Sequence, residues 1–510
     1  MNNTVHSHNN WLARLTSDAG LAVTFFVVGI ISRIPFQSQL LYHWDSVNFV
    51  MGMEQFDVRL HQPHPPGYLL YVLLGRLVNL IINDANASLV WISIFFSGLT
   101  ASVVYLLGRR LFDKPTAIIS ALIALTSPAF WFYSQVALTY ILEAFFVTAI
   151  ALACLQTLRG NWRMAFIAAL LMGLAGGIRQ TTLVLMLPLW LFSLRRCGWR
   201  VIISAGLLLG LTVMAWLAPT IILSGGLDAY LKASSSIGGG VLEDFELFGG
   251  GQSLFALLGP FVRLAMYLLY SLMLGIAALL YGIIKGLGNA KALWKQWRPD
   301  DRVHVMVLWL IPNLVLYAPL VRAPGHTFSF MPALVLMTAA AVMTFSHDLA
   351  ARLSRPVMRS TLTLTGLILV VNVAFFLAAP PYLLDIKRVV TTTPSWPTIH
   401  HRDQYLDERV DTITEHFDAA TTIVLTAGPD YRHPDYYLRD YATLNYETEL
   451  LTSDVPAGAQ TLVLFSDTLT SDQDDVQTIT LSGGELFHLE LDANSNITVK
   501  ESQVSVQQVP

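Results

Sequence analysis

Residues 42–71 decide how the rest of this sequence is interpreted, with YHWDS at residues 42–46 and RLHQPHPPGYLLY at residues 59–71. The stretch follows the first apolar segment directly and carries acids, bases, histidines and aromatic residues. Ionisable side chains are costly at membrane depth, so Asp45 is a functional candidate there. The three prolines of residues 63–66 cannot continue a helix. We therefore expect a loop held in one shape at a membrane surface.

The composition of the chain indicates a polytopic α-helical membrane protein. The 510 residues are 54% hydrophobic and only 13% charged, whereas a soluble protein carries about a quarter charged residues. The two cysteines, Cys154 and Cys197, form neither a disulfide framework nor a metal-binding motif. We expect a protein whose partners are the membrane and its lipids, with no nucleic acid among them.

About eleven apolar segments have roughly the length that a transmembrane helix needs, which is about 20 residues. These segments are residues 20–36, 88–108, 116–134, 138–158, 164–178, 181–194, 201–224, 262–284, 303–320, 328–345 and 360–379. The first of them lacks the features of a cleaved signal peptide, so we expect it to stay as an anchor.

The orientation follows from lysines and arginines, which concentrate in cytoplasmic loops. They cluster near residues 109–114, 159–163, 195–200, 285–302 and 352–359. With eleven spans and a cytoplasmic N-terminus, all five clusters lie on the cytoplasmic side and the C-terminus lies outside.

Residues 66–83 are apolar enough to resemble a further span. Counting them would move every later basic cluster to the outside, and Arg76 argues against burial in lipid. We therefore predict a juxtamembrane helix there, within a first outer loop at residues 37–87.

The C-terminal part differs in character and predicts a separate domain. Residues 380–510 are polar and acidic, with a helical pattern at 404–417 and alternating strand patterns at 421–426 and 461–465. We predict a transmembrane domain at residues 1–379 and a small extracytoplasmic α/β domain at 380–510 that ends in a loose polar tail. Its expected role is docking or covering the membrane site.

Asp45 is the first candidate for chemistry. A carboxylate at the outer interface can take a proton from an acceptor hydroxyl or hold a metal ion. The alternative is a helix N-cap, a role that Asp often fills. His43 and Trp44 lie beside it in sequence and favour the functional interpretation.

Glu143 and Arg179 are the next candidates. Glu143 lies inside an apolar segment and must find a partner or a wet cavity, with Tyr140 on the same helical face. The alternative is a polar lock between helices. Arg179 interrupts an apolar run beside two glycines and two threonines, which suits a phosphate; the alternative is a snorkelling arginine.

Two outer turns supply further candidates. Arg322 and His326 flank a Pro-Gly pair and would meet an anionic head group or simply face solvent. The glycine-rich residues 235–252 would either order over a bound substrate or serve as a flexible connector. Acids and cations gathered at helix ends suit chemistry on a lipid-linked anionic substrate better than transport, for which broken helices and paired halves are typical.

Several motifs taken together resemble the GT-C superfamily of integral membrane glycosyltransferases, with protein O-mannosyltransferases and lipid A aminoarabinose transferases as the nearest families. The similarity runs through residues 20–345. The motifs are Asp45, HPPGY at 64–68, YLLGRRLF at 105–112, ALTY at 137–140 and FMPAL at 330–334.

This resemblance implies a polyprenyl-phosphate-linked sugar donor, transfer on the extracytoplasmic side and Asp45 as the catalytic base. The relatives commonly carry an Asp where this chain has Tyr140, and Glu143, one turn later, is the candidate substitute. A divalent metal ion, held by Asp45 or Glu143, is left open. The expected substrate-binding residues are His43, Trp44, His64, Tyr68, Tyr140, Arg179, Arg322 and His326.

The predicted function is therefore a membrane glycosyltransferase of the cytoplasmic (inner) membrane that acts by inverting displacement. Its acceptor would be a lipid, a glycan or a protein. Phosphate is a good leaving group, so the chemistry needs cations for the developing charge and a base for the incoming hydroxyl. Two alternatives stay open: a flippase or exporter of lipid-linked glycans, and a non-catalytic envelope assembly protein.

Overall fold

The computed structural model describes residues 16–508 apart from several gaps. The gaps are residues 244–253, 289–299, 318–323, 384, 387–388, 391, 447–450, 457, 472, 474 and 493–494. The chain divides into two compact units. The first comprises Met1–Gln37, Asp57–Arg59 and Pro65–Thr398, and the second comprises Ser38–Phe56, Leu60–His64 and Ile399–Pro510. This division differs from the one predicted at residue 380, because much of the first outer loop belongs to the C-terminal unit.

The first unit is helical. Its helices are α1 (Asp18–Ile31), α3 (Leu69–Ile82), α4 (Ala85–Leu111), α5 (Lys114–Thr126), α6 (Pro128–Tyr133), α7 (Tyr140–Leu158), α8 (Arg163–Ile178), α9 (Gln180–Ser193), α10 (Trp199–Leu223), α11 (Leu227–Glu243), α12 (Leu254–Leu272), α13 (Gly275–Gly288), α14 (Asp301–Tyr317), α15 (Met331–Leu353) and α16 (Val357–Ala378). Helix α2 (Trp44–Glu54) belongs to the second unit.

Among the described residues, six helices are long and apolar enough to cross a membrane. These are Asp18–Phe36, in which a short 3₁₀ turn extends α1, together with α4, α7, α10, α15 and α16. A seventh span results if Gly259–Leu272 and Gly275–Gly288, which bend by 111° at their junction, count as one. Each of the eleven predicted apolar segments overlaps a helix, but the count of about eleven spans is not confirmed, since several of these helices are too short.

The N-terminal helices pack closely through small residues. A Cβ atom on Gly29 of α1 would lie 2.7 Å from the Cα atom of Gly98 in α4, so the two backbones touch as in many membrane helix pairs. At the start of α1, the Asp18 carboxylate accepts hydrogen bonds from the Tyr105 hydroxyl at 2.7 Å and the Arg109 Nε at 2.8 Å. Ser17 caps the helix by accepting from the Gly20 amide.

The C-terminal part of the second unit has two helices and two sheets. Helix α17 (Trp396–His416) and the short α18 (His433–Tyr437) accompany strands β3 (Thr422–Ala427), β4 (Ala442–Tyr446), β5 (Leu451–Asp454), β6 (Thr461–Leu464), β7 (Thr470–Ser471), β8 (Gln477–Leu481), β9 (Gly484–Glu490), β10 (Ser495–Lys500) and β11 (Gln503–Gln508). Two-residue strands β1 (Asp385–Ile386) and β2 (Val389–Val390) pair with each other in the first unit.

The strands form a five-stranded sheet in the order β4-β3-β6-β9-β8 and a four-stranded sheet in the order β5-β10-β11-β7. Strand β3 is buried on both faces because its side chains alternate between two cores. Ile423 and Leu425 pack against the residues of the smaller sheet. Val424 packs against Leu406 of α17. This part of the unit therefore has a helix on one face of the five-stranded sheet and the smaller sheet on the other, whereas the strand patterns predicted only a small α/β domain.

The prediction of a loose polar tail is wrong. Residues 484–508 form three successive strands, and Ile497, Val499 and Val504 are buried in the core between the sheets. Polar residues alternate with these apolar ones, which is typical of strands with one solvated face.

Candidate functional site

The start of α2 positions Asp45. His43 is the N-cap of this helix, and its Nδ1 atom accepts a hydrogen bond from the Asp45 amide at 3.1 Å. Asp45 therefore lies in the first turn and is not the N-cap that the sequence allowed as an alternative. The partial positive charge of a helix N-terminus stabilises a carboxylate in this position.

Two imidazoles flank the Asp45 carboxylate. The His64 Nδ1 atom lies 3.4 Å from Asp45 Oδ1, and the His43 Nδ1 atom lies 3.5 Å from Asp45 Oδ2. The Asp45 side chain remains 22% exposed, so it can reach a small reactant. Removal from water lowers the pKa of His43, with Asp45 opposing the shift and Arg402 and His64 adding to it. A neutral His43 fits its role as a hydrogen-bond acceptor.

Trp44 and Tyr68 were both predicted to bind substrate. Trp44 is 38% exposed, and its indole ring meets the rings of His43 and Tyr431 edge-on at centroid distances of 5.7 and 5.6 Å. Tyr68, in the first unit, caps α3 with a left-handed backbone at φ 42°. Their roles toward a substrate stay predictions.

Glu143 and Arg179 form a buried ion pair in the first unit. The Arg179 Nε atom lies 3.0 Å from Glu143 Oε2, and the Thr182 hydroxyl donates to Glu143 Oε1 at 3.0 Å. A second guanidinium nitrogen of Arg179 donates to the Thr139 hydroxyl at 3.2 Å. Both side chains are almost completely removed from solvent. This arrangement resembles the polar lock that the sequence left open for Glu143.

The Tyr140 ring packs against Arg179, and the His326 ring lies beside Tyr140. Its Cζ atom lies 4.6 Å from the centre of the Tyr140 ring, which suits a cation–π interaction. The His326 ring lies 6.3 Å from Tyr140 between centroids. Gly325 provides the room, because a Cβ atom there would lie 2.3 Å from the Tyr140 ring. The structure thus brings together four predicted residues: Tyr140, Glu143, Arg179 and His326.

The HPPGY turn is tied to the helix that begins beside Arg179. The carbonyl oxygen of Pro66 accepts hydrogen bonds from the Gln180 side-chain amide at 3.3 Å and from the Tyr230 hydroxyl at 3.2 Å. The Gln180 amide also donates to the Tyr230 hydroxyl at 3.2 Å. No local feature of the sequence indicates this role of Gln180 and Tyr230.

Two further predictions involve residues that the structure leaves out wholly or partly. Arg322 lies outside the described residues. The glycine-rich segment at 235–252 is described only to residue 243, where it continues helix α11, and its remainder lies outside the described residues.

Some polar side chains that support the fold were missed by the sequence analysis. Arg33 at the end of the first apolar helix is 1% exposed, donates to the Leu125 carbonyl at 2.6 Å and lies 4.7 Å from the Trp131 ring centre. Arg402 in α17 donates to the Tyr42 carbonyl at 3.2 Å. Arg33 was visible as a charge beside an apolar run, whereas nothing local in the sequence indicates the partner of Arg402.

A metal ion fits Glu143 poorly, because Arg179 and Thr182 already occupy its two oxygens. Within the described part of the chain, no group of three or more His, Cys, Asp or Glu residues is arranged to hold a metal. The divalent metal ion that the sequence left open for Asp45 or Glu143 therefore receives no support from the geometry of Glu143, and for Asp45 it stays open.

Part of the chain is similar in sequence to a known protein family, and the whole chain is similar in fold to solved structures. Residues 55–202 match the family described as Protein O-mannosyl-transferase TMEM260 N-terminal domain. No curated protein sequence matches the chain.

The solved structures with a similar fold include ArnT from Cupriavidus metallidurans in the apo state. It is 11% identical, with a TM-score of 0.50 over 94% of this chain and 98% of that chain. The Archaeoglobus fulgidus oligosaccharyltransferase in the apo form is 14% identical, with a TM-score of 0.47 over 85% of this chain. This chain spans 65% of the length of that oligosaccharyltransferase. The predicted resemblance of the chain to the GT-C superfamily of integral membrane glycosyltransferases is therefore confirmed.

Proposed function

We propose that this chain is a membrane glycosyltransferase that moves a sugar from a polyprenyl-phosphate-linked donor to an acceptor on the extracytoplasmic face. The family matched by residues 55–202 is named for protein O-mannosyl transfer. Two of the structures with a similar fold contain a polyprenyl phosphate. They are ArnT bound to undecaprenyl phosphate and the oligosaccharyltransferase AglB in complex with an inhibitory peptide and a dolichol-phosphate. The apolar helices are consistent with a membrane location.

One contact carries the proposal, namely that between the Asp45 carboxylate and His64 at 3.4 Å. His64 begins the HPPGY motif inside the matched segment, while Asp45 precedes that segment. The contact joins the acid to the family motif in a partly exposed position. A catalytic base needs this combination of access to the substrate and a neighbouring group that can interact with its charge.

In the proposed reaction, Asp45 accepts the proton of the acceptor hydroxyl as that oxygen attacks the anomeric carbon of the donor. The new carbon–oxygen bond forms while the bond from the anomeric carbon to the phosphate oxygen breaks. The bonding electrons leave with the polyprenyl phosphate. A single displacement of this kind inverts the anomeric centre.

Cationic and polar groups stabilise the charge that develops on the leaving phosphate. We assign this role to Arg179, with Tyr140 and His326 beside it and Arg322 as a further predicted contact. Glu143 then acts through Arg179: the ion pair orients the guanidinium, so that its remaining donors keep a fixed direction. Trp44 and Tyr68 are assigned to the sugar, and His43 and His64 orient Asp45.

The test is a transfer assay with the purified chain in sealed proteoliposomes. Radiolabelled polyprenyl-phosphate mannose and polyprenyl-phosphate aminoarabinose serve as donors, and membrane extract supplies acceptors. We expect label from one donor to enter an acceptor with the wild-type chain and not with Asp45→Asn. Label that stays on the lipid while the lipid crosses the bilayer would indicate the flippase. Neither transfer nor movement of any donor would favour the envelope assembly protein.

A further inference from the structure

We propose that Arg402, supported by Asp430 and His433, is a positioning residue. It holds residues 38–54, which we call the Asp45 loop, in the conformation that the reaction needs. The inference rests on the proposed function for its consequence in catalysis. All the contacts on which it rests lie within the second unit, which contains both Asp45 and these three residues.

The backbone that leads to Asp45 is anchored by side chains of the C-terminal segment. The Asp403 carboxylate accepts hydrogen bonds from the Gln39 amide at 2.8 Å and the Leu40 amide at 3.2 Å. The Tyr437 hydroxyl accepts from the Leu41 amide at 2.8 Å. Because Asp403 is 7% exposed, these bonds are shielded from competition with water.

The last two anchors before Asp45 are the carbonyl groups of residues 41 and 42. The His433 Nε2 atom lies 2.8 Å from the Leu41 carbonyl oxygen. The Arg402 Nε atom donates to the Tyr42 carbonyl at 3.2 Å. His43, the cap that receives the Asp45 amide, follows immediately. The position of the helix start therefore depends on these two carbonyl groups.

Arg402 can hold Tyr42 because its own position is fixed on the opposite side. A second nitrogen donates to Asp430 Oδ1 at 2.6 Å, and a third donates to the Pro429 carbonyl at 3.3 Å. The Tyr405 hydroxyl donates to the other oxygen of Asp430 at 2.7 Å. Asp430 is completely buried, so this guanidinium fork has a rigid base.

The far end of the loop is also attached to the C-terminal segment. Arg439 lies 2.6 Å from Glu54 at the end of α2, and Arg432 donates to the Leu60 carbonyl at 3.3 Å. The first of these is an exposed ion pair of little energetic weight. The buried contacts of Arg402 and His433 are consequently the ones expected to set the position of Asp45.

The consequence for catalysis follows because the rate of proton transfer depends steeply on the position of the base. A base displaced by about 1 Å loses roughly 10²-fold in rate. A loop with one anchor removed would visit displaced positions, while the binding of a large lipid-linked donor would change little. We therefore expect a fall in kcat with KM nearly unchanged.

Two variants of helix α17 provide the matched comparison. Arg402→Gln removes the anchor of Tyr42. Arg409→Gln removes another arginine of the same helix, which is more deeply buried than Arg402 and donates to the Phe465 carbonyl at 2.9 Å and the Glu485 carbonyl at 3.3 Å inside the sheet. Both are expected to destabilise the unit, but only the first acts on the loop directly.

The experiment measures hydrogen–deuterium exchange of peptides covering residues 38–54 in the full chain, together with kcat and KM for transfer. We expect Arg402→Gln to speed exchange in this region at least tenfold and to lower kcat roughly 10–100-fold. For Arg402→Lys we expect an exchange rate and a kcat between those of Arg402→Gln and wild type. Equal exchange in the loop for Arg402→Gln and wild type, or equal effects of the two glutamine variants, would overturn the proposal.

Two additions keep the test decisive. If Arg402→Gln does not fold, Tyr437→Phe removes only the hydroxyl bonded to Leu41, and faster exchange at residues 38–42 is expected from it. If wild type transfers no label, the proposed function fails while the exchange data still decide whether Arg402 positions the loop.

Discussion

Asp45 and Glu143 are the two acids to which the sequence assigned catalysis, and the structure places them in opposite surroundings. Asp45 is 22% exposed between two imidazoles at the start of a helix. Glu143 has no exposed side-chain area and pairs with Arg179 inside the helical unit. A carboxylate that must accept a proton needs access, whereas one that neutralises a buried cation needs to be enclosed.

The comparison teaches that an acid in an apolar helix is not by that fact a catalytic acid. The cost of burying a charge demands a partner, and here Arg179 supplies it. The partner decides the role, and the sequence around Glu143 does not show the partner. The two acids therefore have separate roles, Asp45 in proton transfer and Glu143 in supporting Arg179.

The largest expected effect on stability is that of Glu143→Gln. Removing one member of a buried ion pair leaves an uncompensated charge and costs about 3–5 kcal/mol. The double variant Glu143→Leu/Arg179→Met removes both charges and should recover most of that loss. Thermal unfolding in nanodiscs measures both. A double variant that is less stable than Glu143→Gln would contradict the assignment of the pair as a support.

Gly325→Ala should perturb the same cluster through packing. The added methyl group would lie 2.3–2.4 Å from atoms of the Tyr140 ring, and the ring must move from beneath Arg179. Such overpacking costs about 1–3 kcal/mol. Gly366→Ala in α16 is the control, because a Cβ atom there meets nothing within 4 Å. Equal unfolding temperatures for the two variants would show that the cluster is not tightly packed.

Acidification should weaken the unit that holds Asp45. Burial, together with Arg402, lowers the pKa of His433 to about 3, although Asp430 opposes this shift. Below pH 6.5 the unfolded chain therefore binds a proton that the folded chain does not, and stability falls as the pH falls. Between pH 7 and pH 5 this loss is about 2 kcal/mol.

The variant His433→Gln isolates that contribution. It keeps an amide that can donate to the Leu41 carbonyl and removes the titration. Its unfolding temperature should change less than that of wild type between pH 7 and pH 5. The Asp430 carboxylate does not interfere, since the Arg402 guanidinium keeps its pKa below the usual range despite burial, and its contribution is lost only at lower pH. Parallel changes in both proteins would contradict the account.

The smallest expected effect is that of Trp44→Ala. The indole is partly exposed and is assigned to the sugar, so its loss should raise KM about fivefold, or about 1 kcal/mol. Stability should change little at an exposed position. An unchanged KM with a lower unfolding temperature would assign Trp44 to the packing against Tyr431 instead.

The sequence predicted the helices well because apolar runs are long and local. The predicted count of about eleven spans is not confirmed, since the length of a helix depends on where it breaks. Between α12 and α13 the break falls at Met273, which has a left-handed backbone at φ 45°. No proline stands at this position to indicate a break from the sequence. The strands at the C-terminus were missed because their polar faces resembled a tail.

The candidate site was predictable residue by residue but not in its pairings. Asp45, Glu143 and Arg179 each stood out as charges in apolar surroundings. The bond between Arg402 and Tyr42 joins residues 360 positions apart, and no periodicity or spacing reports such a contact. For the same reason the sequence placed the whole outer loop with the helices, whereas residues 38–56 and 60–64 of it fold with the C-terminal strands.

The most direct test of this account measures kcat and the unfolding temperature of Asp45→Asn and Glu143→Gln in the same nanodisc preparation. We predict that Asp45→Asn lowers kcat roughly 10²–10⁴-fold and leaves the unfolding temperature within a few degrees of wild type. Glu143→Gln should lower the unfolding temperature far more, because Arg179 loses its counter-charge. A fully active Asp45→Asn variant, or an inactive Glu143→Gln variant of undiminished stability, would contradict the division between the two acids.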